Sequence, residues 1–339
     1  MSTKRYTIQD IARQADVGVG TVSRVLNNDV SVKPTTRSKV QAVIQAMDYQ
    51  PSFMARSLRT QKSNTFGFIA DAVTTTPFAV NLVKGAQDAA WEHGKLLLIV
   101  DADNNPEMRE RALESMLERD VEGIIYAAMF HQEVSLSEAF GTVPTVLVDC
   151  YTADNRFTAS VPDEVQAGRD ATRELLRRGH ERVAIILNAS LESPYPAAAG
   201  RYQGYCEALE EVNLQPMPEL VQIGEGNAAS AFACTLTLMA LPDPPTAIFC
   251  CTDRMALGTY DALRSLNLNI PNDVSVIGFD NQAVIAEQLY PPLSTMALPH
   301  EAMGRWAIEQ LLEHPSPPPT NHVFPCPLIS RASIKILKT

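Results

Sequence analysis

The segment from Tyr6 to Asn28, YTIQDIARQADVGVGTVSRVLNN, determines how the start of the chain folds. Thr7 can cap a first helix, and the residues after it form one apolar face at helical spacing: Ile8, Ile11, Ala12 and Ala15. A tight turn at residues 16–19 precedes a second helix at about 20–27, and a third helix is predicted from Pro34 to about residue 48. This arrangement predicts a helix-turn-helix module.

The second of these helices can enter the major groove of DNA with its N-terminal residues nearest the base edges. Arg24 can make a bidentate contact to guanine or bind a phosphate, whereas Thr21 and Ser23 suit phosphate oxygens. The predicted DNA contacts of the module are Thr7, Val19, Gly20, Thr21, Ser23, Arg24 and Asn27. A small helical protein-binding module is the alternative that the helix pattern alone leaves open.

The distribution of charge along the chain separates these alternatives. The net charge of −11 would by itself argue against nucleic acid as a partner. Residues 1–62, however, carry ten basic and four acidic side chains, a balance of +6, which leaves −17 on the rest of the chain. A basic head on an acidic body is typical of a protein in which one small module meets phosphate. The charge therefore favours DNA as the partner of the head.

From Asn64 onwards, apolar runs of strand length alternate with amphipathic helical patterns. The predicted strands are Thr65–Ala70, Leu96–Val100, Gly123–Ala127, Thr145–Val148, Val183–Leu187, Ala247–Cys251 and Val274–Gly278. The predicted helices lie at about 78–93, 106–119, 164–179, 199–213, 228–240, 253–267 and 299–313. Such alternation predicts parallel sheets covered by helices on both faces, and the number of units favours two lobes.

Several classes of protein are disfavoured by the sequence. The chain starts on a polar segment without the apolar core of a signal peptide, and no apolar run is long enough to span a membrane. The six cysteines are scattered, which favours free thiols in a reducing compartment. The histidines show no metal-ligand spacing, and we find no catalytic constellation. We therefore expect a cytoplasmic protein that is no enzyme and uses no metal or cofactor.

Four segments of the N-terminal region resemble the bacterial lactose-repressor/galactose-repressor family: Thr7–Ala12, Thr21–Asn27, Thr36–Val40 and Tyr49–Leu58. Asp273–Asn281 extends the resemblance into the body. It implies an all-α helix-turn-helix head on a two-lobed α/β body of the periplasmic-binding-protein-like (type I) fold with parallel sheets. The function it implies is that of a transcriptional repressor that binds a double-stranded, pseudo-palindromic operator as a homodimer and responds to a small-molecule effector.

The same resemblance implies how the chain is divided. Residues 1–50 form the DNA-binding domain, and residues 51–62 form a hinge helix with its linker. The N-terminal lobe of the effector domain takes residues 63–162 and 293–322, and the C-terminal lobe takes residues 163–292 and 323–339.

The hinge helix is expected at Ser52–Arg59 and orders when the operator binds. Leu58 would be the apolar wedge that enters a central base step of the minor groove, and Arg56 would hold a flanking phosphate. A segment of this length is too short to form a helix alone in water, which agrees with folding on DNA. A solvated linker is the alternative, but it leaves the helical spacing of Ala55 and Leu58 unexplained.

The effector is expected between the lobes, and the resemblance places its contacts at six residues: Phe78, Asp149, Arg201, Thr252, Asp253 and Asp280. Tyr195, in a neighbouring loop, is a further candidate that could replace a missing stacking residue. Ligands of parallel sheets bind beyond the carboxyl ends of the strands, where several of these residues lie. Gly226 takes the position of a stacking aromatic residue in relatives, which disfavours a purine and leaves a sugar, sugar acid or sugar phosphate. A purine-responsive regulator and a cytoplasmic sugar-acting enzyme remain the alternatives, whereas a sugar-transport protein would need a signal peptide and no basic head.

The sequence departs from the family pattern at several further positions, among them Val19 and Gly20, where many relatives have a larger polar or aromatic residue. Gly18 stands where many relatives have a capping serine, and Lys33 replaces the usual cap of the third helix. Leu298 stands where relatives have a polar residue in the cleft. Operator rules and effector contacts therefore cannot simply be transferred from a relative.

Overall fold

The computed structural model describes residues 6–49, 63–74, 80–193, 195–313 and 319–337. The chain divides into two compact units, one ending at Ser63 and the other beginning at Asn64, and each is described by itself. The predicted hinge helix, with Arg56 and Leu58, lies outside the described residues, as does Phe78.

The first unit, the head, contains three helices: α1 (Ile8–Gln14), α2 (Val19–Leu26) and α3 (Pro34–Ala46). A capping box starts α1, because Thr7 and Asp10 each bond the backbone N–H of the other. One small core holds the helices together, and its buried members are Ile11, Ala12, Ala15, Val22, Val25 and Val40. The predicted helix-turn-helix is therefore present, with α2 beginning one residue earlier than expected.

The second unit, the body, contains twelve strands within the described ranges. They are β1 (Thr65–Asp71), β2 (Leu96–Asp101), β3 (Ile124–Glu133), β4 (Thr145–Tyr151), β5 (Thr158–Pro162), β6 (Val183–Leu187), β7 (Val221–Ile223), β8 (Ala247–Cys250), β9 (Ser275–Asp280), β10 (Ser294–Ala297), β11 (Asn321–Phe324) and β12 (Leu328–Ile329). Its helices are α4 (Val80–Glu92), α5 (Pro106–Leu117), α6 (Glu164–Arg177), α7 (Pro196–Glu210), α8 (Ala228–Met239), α9 (Asp253–Ser265), the short α10 (Ala283–Ala286) and α11 (His300–Glu313).

The strands form two six-stranded sheets, one in each lobe. The first has the order β11-β5-β4-β3-β1-β2 and is parallel, and the second has the order β12-β10-β9-β8-β6-β7 with only β12 antiparallel. Apolar side chains pack on both faces of each sheet. In the first lobe, α4 and α11 cover one face and α5 covers the other. In the second lobe, α6 and α7 cover one face and α8 and α9 cover the other. The predicted two-lobed body with parallel sheets is confirmed.

The lobe boundary predicted at residue 293 is wrong in one respect. Strand β10 pairs with β9, so residues 294–297 belong to the second sheet and the chain crosses back only before α11. Strand β11 pairs with β5 as far as Phe324, two residues beyond the predicted boundary at 322. The sheet to which a short segment belongs is decided by its pairing with a distant strand, and the local pattern of apolar residues does not predict that pairing.

Among the described helices, none is long and apolar enough to cross a membrane. In the same ranges, no group of three or more His, Cys, Asp or Glu residues is placed to hold a metal ion.

Candidate DNA-binding helix and effector cleft

Helix α2 turns its apolar residues inward and its predicted DNA-contacting residues outward. Val22 and Val25 are buried, whereas Gly20, Arg24 and Asn27 are exposed. At the tip of the helix, Val19 exposes 42% of its surface, and Thr21 and Ser23 are partly buried. A Cβ built on Gly20 would meet nothing within 4 Å, so this position is open to a close approach by a partner.

Thr7 has a role inside the head. Its hydroxyl donates to Asp10 Oδ2 at 2.8 Å and accepts from the Asp10 N–H at 3.3 Å, which completes the cap of α1. Helix capping is thus sufficient to explain this residue, and its contact to DNA stays a prediction. The N-cap residues of α2 and α3 are Gly18 and Lys33, and neither makes a side-chain hydrogen bond to its helix, as the sequence led us to expect.

Arg201 lies at the centre of the predicted effector site and is almost fully buried. Its Nε donates to Glu164 Oε2 at 2.7 Å and its Nη2 to Glu164 Oε1 at 3.2 Å. A further N–H donates to the carbonyl oxygen of Cys251, and the guanidinium lies 3.5 Å from the ring centroid of Phe279. The positive charge of Arg201 is therefore already paired inside the protein.

Asp280 ends strand β9 close to this arginine. Its backbone has φ of 107°, and its Oδ2 accepts a hydrogen bond from Gln282 Nε2 at 2.8 Å. Burial raises the pKa of Asp280 to about 6, and the charge of Arg201 opposes that shift. The carboxylate stays ionised at neutral pH but is costly to keep charged.

Asp253 and Thr252, both predicted to contact the effector, have structural roles. Asp253 is fully buried, and its two oxygens accept hydrogen bonds at 2.6 Å from Gln282 N–H and from the hydroxyl of Thr295. Burial, and then the neighbouring Asp280, raise its pKa well above the usual range. The Thr252 hydroxyl caps α9 by accepting from the Met255 N–H at 3.1 Å. These hydrogen bonds are sufficient to explain Asp253, and its contact to the effector stays a prediction.

The first lobe contributes Asp149 from strand β4. The residue is 3% exposed, its φ is 56°, and its Oδ2 lies 3.8 Å from Nε2 of His300 at the start of α11. His300 also lies near enough to Asp280 to lower the pKa of that carboxyl group. His300 therefore interacts with a carboxylate of the first lobe and influences one of the second.

Several buried polar atoms of the described residues have no hydrogen-bond partner, and two of these acceptors lie near the carboxyl ends of strands in different lobes. These two are Oδ1 of Asp149 and Oδ1 of Asn188, and Asn188 directly follows strand β6. Buried polar atoms in folded proteins are normally paired, so acceptors of this kind indicate a place where a ligand or water supplies the donor.

Tyr195 contacts the opposite lobe. Its ring meets that of Phe130 with the centroids 5.7 Å apart and the planes at 65°. Tyr195 immediately precedes α7 of the second lobe, whereas Phe130 belongs to β3 of the first. The sequence had pointed to Tyr195 but not to its partner.

Two family profiles match this chain: bacterial regulatory proteins of the lacI family over residues 7–52, and the periplasmic binding protein-like domain over residues 172–334. The ribose operon repressor of Escherichia coli (strain K12) is 31% identical over 315 residues, which cover 92% of this chain and 94% of that protein. The HTH-type transcriptional repressor PurR of Histophilus somni (strain 2336) is 31% identical over 340 residues, which cover 98% and 99%. This chain belongs to the lacI family of bacterial regulatory proteins.

The fold of this lacI-family chain agrees with that of a solved family structure. The lac repressor dimer bound to operator and the anti-inducer ONPF matches it with a TM-score of 0.80 and 23% identity, over 98% of this chain and 100% of that chain. The resemblance drawn from the sequence is confirmed, and the chain is a DNA-binding transcriptional repressor, not an enzyme.

Three residues of this lacI-family cleft were missed by the sequence: Glu164, His300 and Phe130. Glu164 is an acid in the first turn of a capped helix, a position in which an acid is common in any protein. His300 and Phe130 carry no motif, and their positions depend on the meeting of two lobes. An open depression of about 380 Å³, lined by Ala228, Phe232 and Asp261 among others, lies on the α8–α9 surface and has none of these groups.

Proposed function

We propose that this lacI-family repressor binds its operator as a homodimer through α2 and the hinge segment 52–59, and that a neutral, hydroxyl-rich compound bound between the lobes controls its affinity for DNA. Support for the dimer and the operator comes from the family membership and from the lac repressor dimer with the same fold. Support for DNA contacts by α2 comes from the outward position of Gly20, Arg24 and Asn27.

The effector class is inferred from the charges in the cleft. The positive charge of Arg201 is offset by the carboxylate of Glu164, so it attracts an anionic group less than an unpaired arginine would. Asp149 and Asp280 add negative charge on either side of the ligand space. A phosphate or carboxylate would be repelled there, which disfavours the sugar acids and sugar phosphates that the sequence left open.

The observation that carries this proposal is that Oδ1 of Asp149 and Oδ1 of Asn188, one in each lobe, are buried without a hydrogen-bond partner in the described part of the chain. A polyhydroxy ligand supplies hydroxyl donors to both, and the remaining donors of Arg201 can bind its oxygens. A neutral sugar fits this pattern. The ribose operon repressor, a relative of this chain, is named for a sugar operon.

A purine is the second candidate. It is favoured by the relative named PurR and by the two aromatic rings of Phe130 and Tyr195 at the cleft. Against it, Gly226 offers no ring, and its φ of 70° is a conformation that suits glycine.

The test is a thermal-shift screen of the full chain with neutral monosaccharides, the matching sugar phosphates, hypoxanthine and guanine. We expect a saturable rise in Tm with a neutral sugar, and the loss of that rise in Asp149→Ala. A response to the phosphates alone or to the purines alone would contradict the proposed effector class. Turnover of a sugar would contradict its role as an effector.

A further inference from the structure

We propose that Phe130 and Tyr195 form an aromatic gate that closes the mouth of the cleft and limits the length of the ligand that fits behind it. The proposal rests on the effector site proposed above. The two rings join the lobes by an edge-to-face contact with centroids 5.7 Å apart. Phe130 is 42% exposed and Tyr195 is 38% exposed, whereas Asp149 and Arg201 behind them are 3% and 4% exposed. The two rings are therefore exposed to solvent, whereas these polar groups of the cleft are buried.

Phe130 reaches this position because strand β3 is irregular. The pairing of β3 with β4 shifts register between Ala127 and Gln132, which leaves residues 128–131 as a bulge. A bulge bends a strand and redirects its side chains, often beside a binding site. The next residue, His131, packs against the ring of Tyr151 at 5.7 Å and so fixes the bulge to the end of β4. The ring of Phe130 is thereby held by the first lobe.

Tyr195 belongs to the second lobe. It is the N-cap residue of α7 in an extended conformation, and Pro196 fixes the first position of the helix. Arg201 lies on the same helix and is bound to Glu164 of α6. Tyr195 and Arg201 thus belong to the same helix and its N-cap. A rotation of the second lobe that opens the gate moves Arg201 with it.

The strength of the contact suits a gate. An edge-to-face aromatic pair shifts an equilibrium by about two- to tenfold, which favours closure without locking it. If the ring pair closes the cleft, we expect a ligand the size of one sugar ring to remain behind it. The second ring of a disaccharide has to pass between Phe130 and Tyr195, and the two side chains cannot then touch.

The first test needs no ligand. Thermal unfolding is measured for the full chain and for Phe130→Ala, Tyr195→Ala and the double variant. If the rings meet across the cleft, the double variant loses less Tm than the two single variants together. The matched control combines Phe130→Ala with Leu191→Ala, since Leu191 is 41% exposed and lies in the same loop as Tyr195; these losses should add. Additive losses for Phe130→Ala and Tyr195→Ala would overturn the gate.

The second test measures ligand size. The wild-type chain and the double variant are screened by thermal shift with D-ribose, D-glucose and D-galactose, and with cellobiose, maltose and lactose. We expect the wild-type chain to respond to a monosaccharide only, and the double variant to gain a response to a disaccharide. A wild-type response of equal size to a disaccharide, or no gain in the double variant, would overturn the size limit.

The two tests also separate this proposal from the one on which it rests. A wild-type chain that responds to none of the six sugars contradicts the proposed effector class, and the size limit with it. The contact between the lobes is then still decided by the unfolding cycle.

Discussion

At the scale of single residues, Arg201 and Asp280 have different roles although the sequence predicted the same role for both. Arg201 has its charge paired by Glu164, so it contributes shape and spare N–H donors to the cleft more than charge. Asp280 is costly to ionise, because burial raises its pKa to about 6. The chemistry of the cleft therefore depends on a carboxylate that the fold tolerates at a cost in stability.

Replacing Asp280 by asparagine should change how stability depends on pH. An aspartate in the unfolded chain has a pKa of about 3.9, and in the folded chain that of Asp280 is raised to about 6. A raised pKa stabilises the fold below the unfolded value and loses that contribution as pH rises through the folded value. We therefore expect the gain in Tm of Asp280→Asn over wild type to be larger at pH 7.5 than at pH 5, by about 2–4 °C.

The measurement is a melt of both chains at the two pH values. Asp261→Asn, on the exposed part of α9, is the control. Equal gains of Asp280→Asn at pH 5 and pH 7.5 would show that the carboxyl group is not titrating in this window.

At the scale of helices and strands, the sequence predicted those elements best whose pattern is local. Each of the three helices of the head was predicted from the spacing of its own apolar residues. One apolar residue of each helix, Ile11, Val22 and Val40, is fully buried. The short strands β5, β7 and β10 were not predicted, because a run of three to five residues becomes a strand only by pairing with a distant one. Phe130 and Glu164 could not be found for the same reason, since their roles depend on contacts between elements.

Helix α6 packs closely against α7, the helix that carries Arg201, and a substitution at one glycine tests whether this packing positions the cleft. A Cβ on Gly168 of α6 would lie 2.4 Å from the Arg201 carbonyl oxygen and 2.7 Å from the Arg201 Cα. Gly168→Ala should therefore push α7 outward, lower stability by about 1–3 kcal/mol, and reduce the response to the effector. Gly141→Ala is the control, because a Cβ at Gly141 meets nothing within 4 Å. Melts with and without the sugar found in the screen measure both effects, and similar behaviour of the two variants would contradict the prediction.

At the scale of the whole molecule, opposite charges separate the two functions of the chain. The first 62 residues carry a balance of +6 and the rest carries −17. Contacts to phosphate dominate affinity for DNA, so an acidic body is repelled by DNA and non-specific DNA binding is confined to the head. The chain also divides between Ser63 and Asn64 into two units, each with its own buried core.

A chain that begins at Asn64 should therefore keep the effector response and lose DNA binding. The cores of both sheets and the residues around Arg201 lie entirely within this part. We expect the same effector-induced rise in Tm as in the full chain, and no DNA binding at salt concentrations where the full chain binds. Anisotropy with an operator selected from random DNA measures the second quantity. A truncated chain that still binds DNA would contradict the role of the head, and one that no longer responds to the effector would show that sensing needs the head.

The full chain should in addition show coupling that the truncated chain lacks. If the effector changes operator affinity by some factor, the operator must change effector affinity by the same factor, because the two bindings share one thermodynamic cycle. Titrating the full chain with effector in the presence and absence of operator measures this factor, and the truncated chain should give identical curves. Identical curves for the full chain as well would mean that the cleft and the DNA-binding helix act independently, which is incompatible with effector-controlled repression.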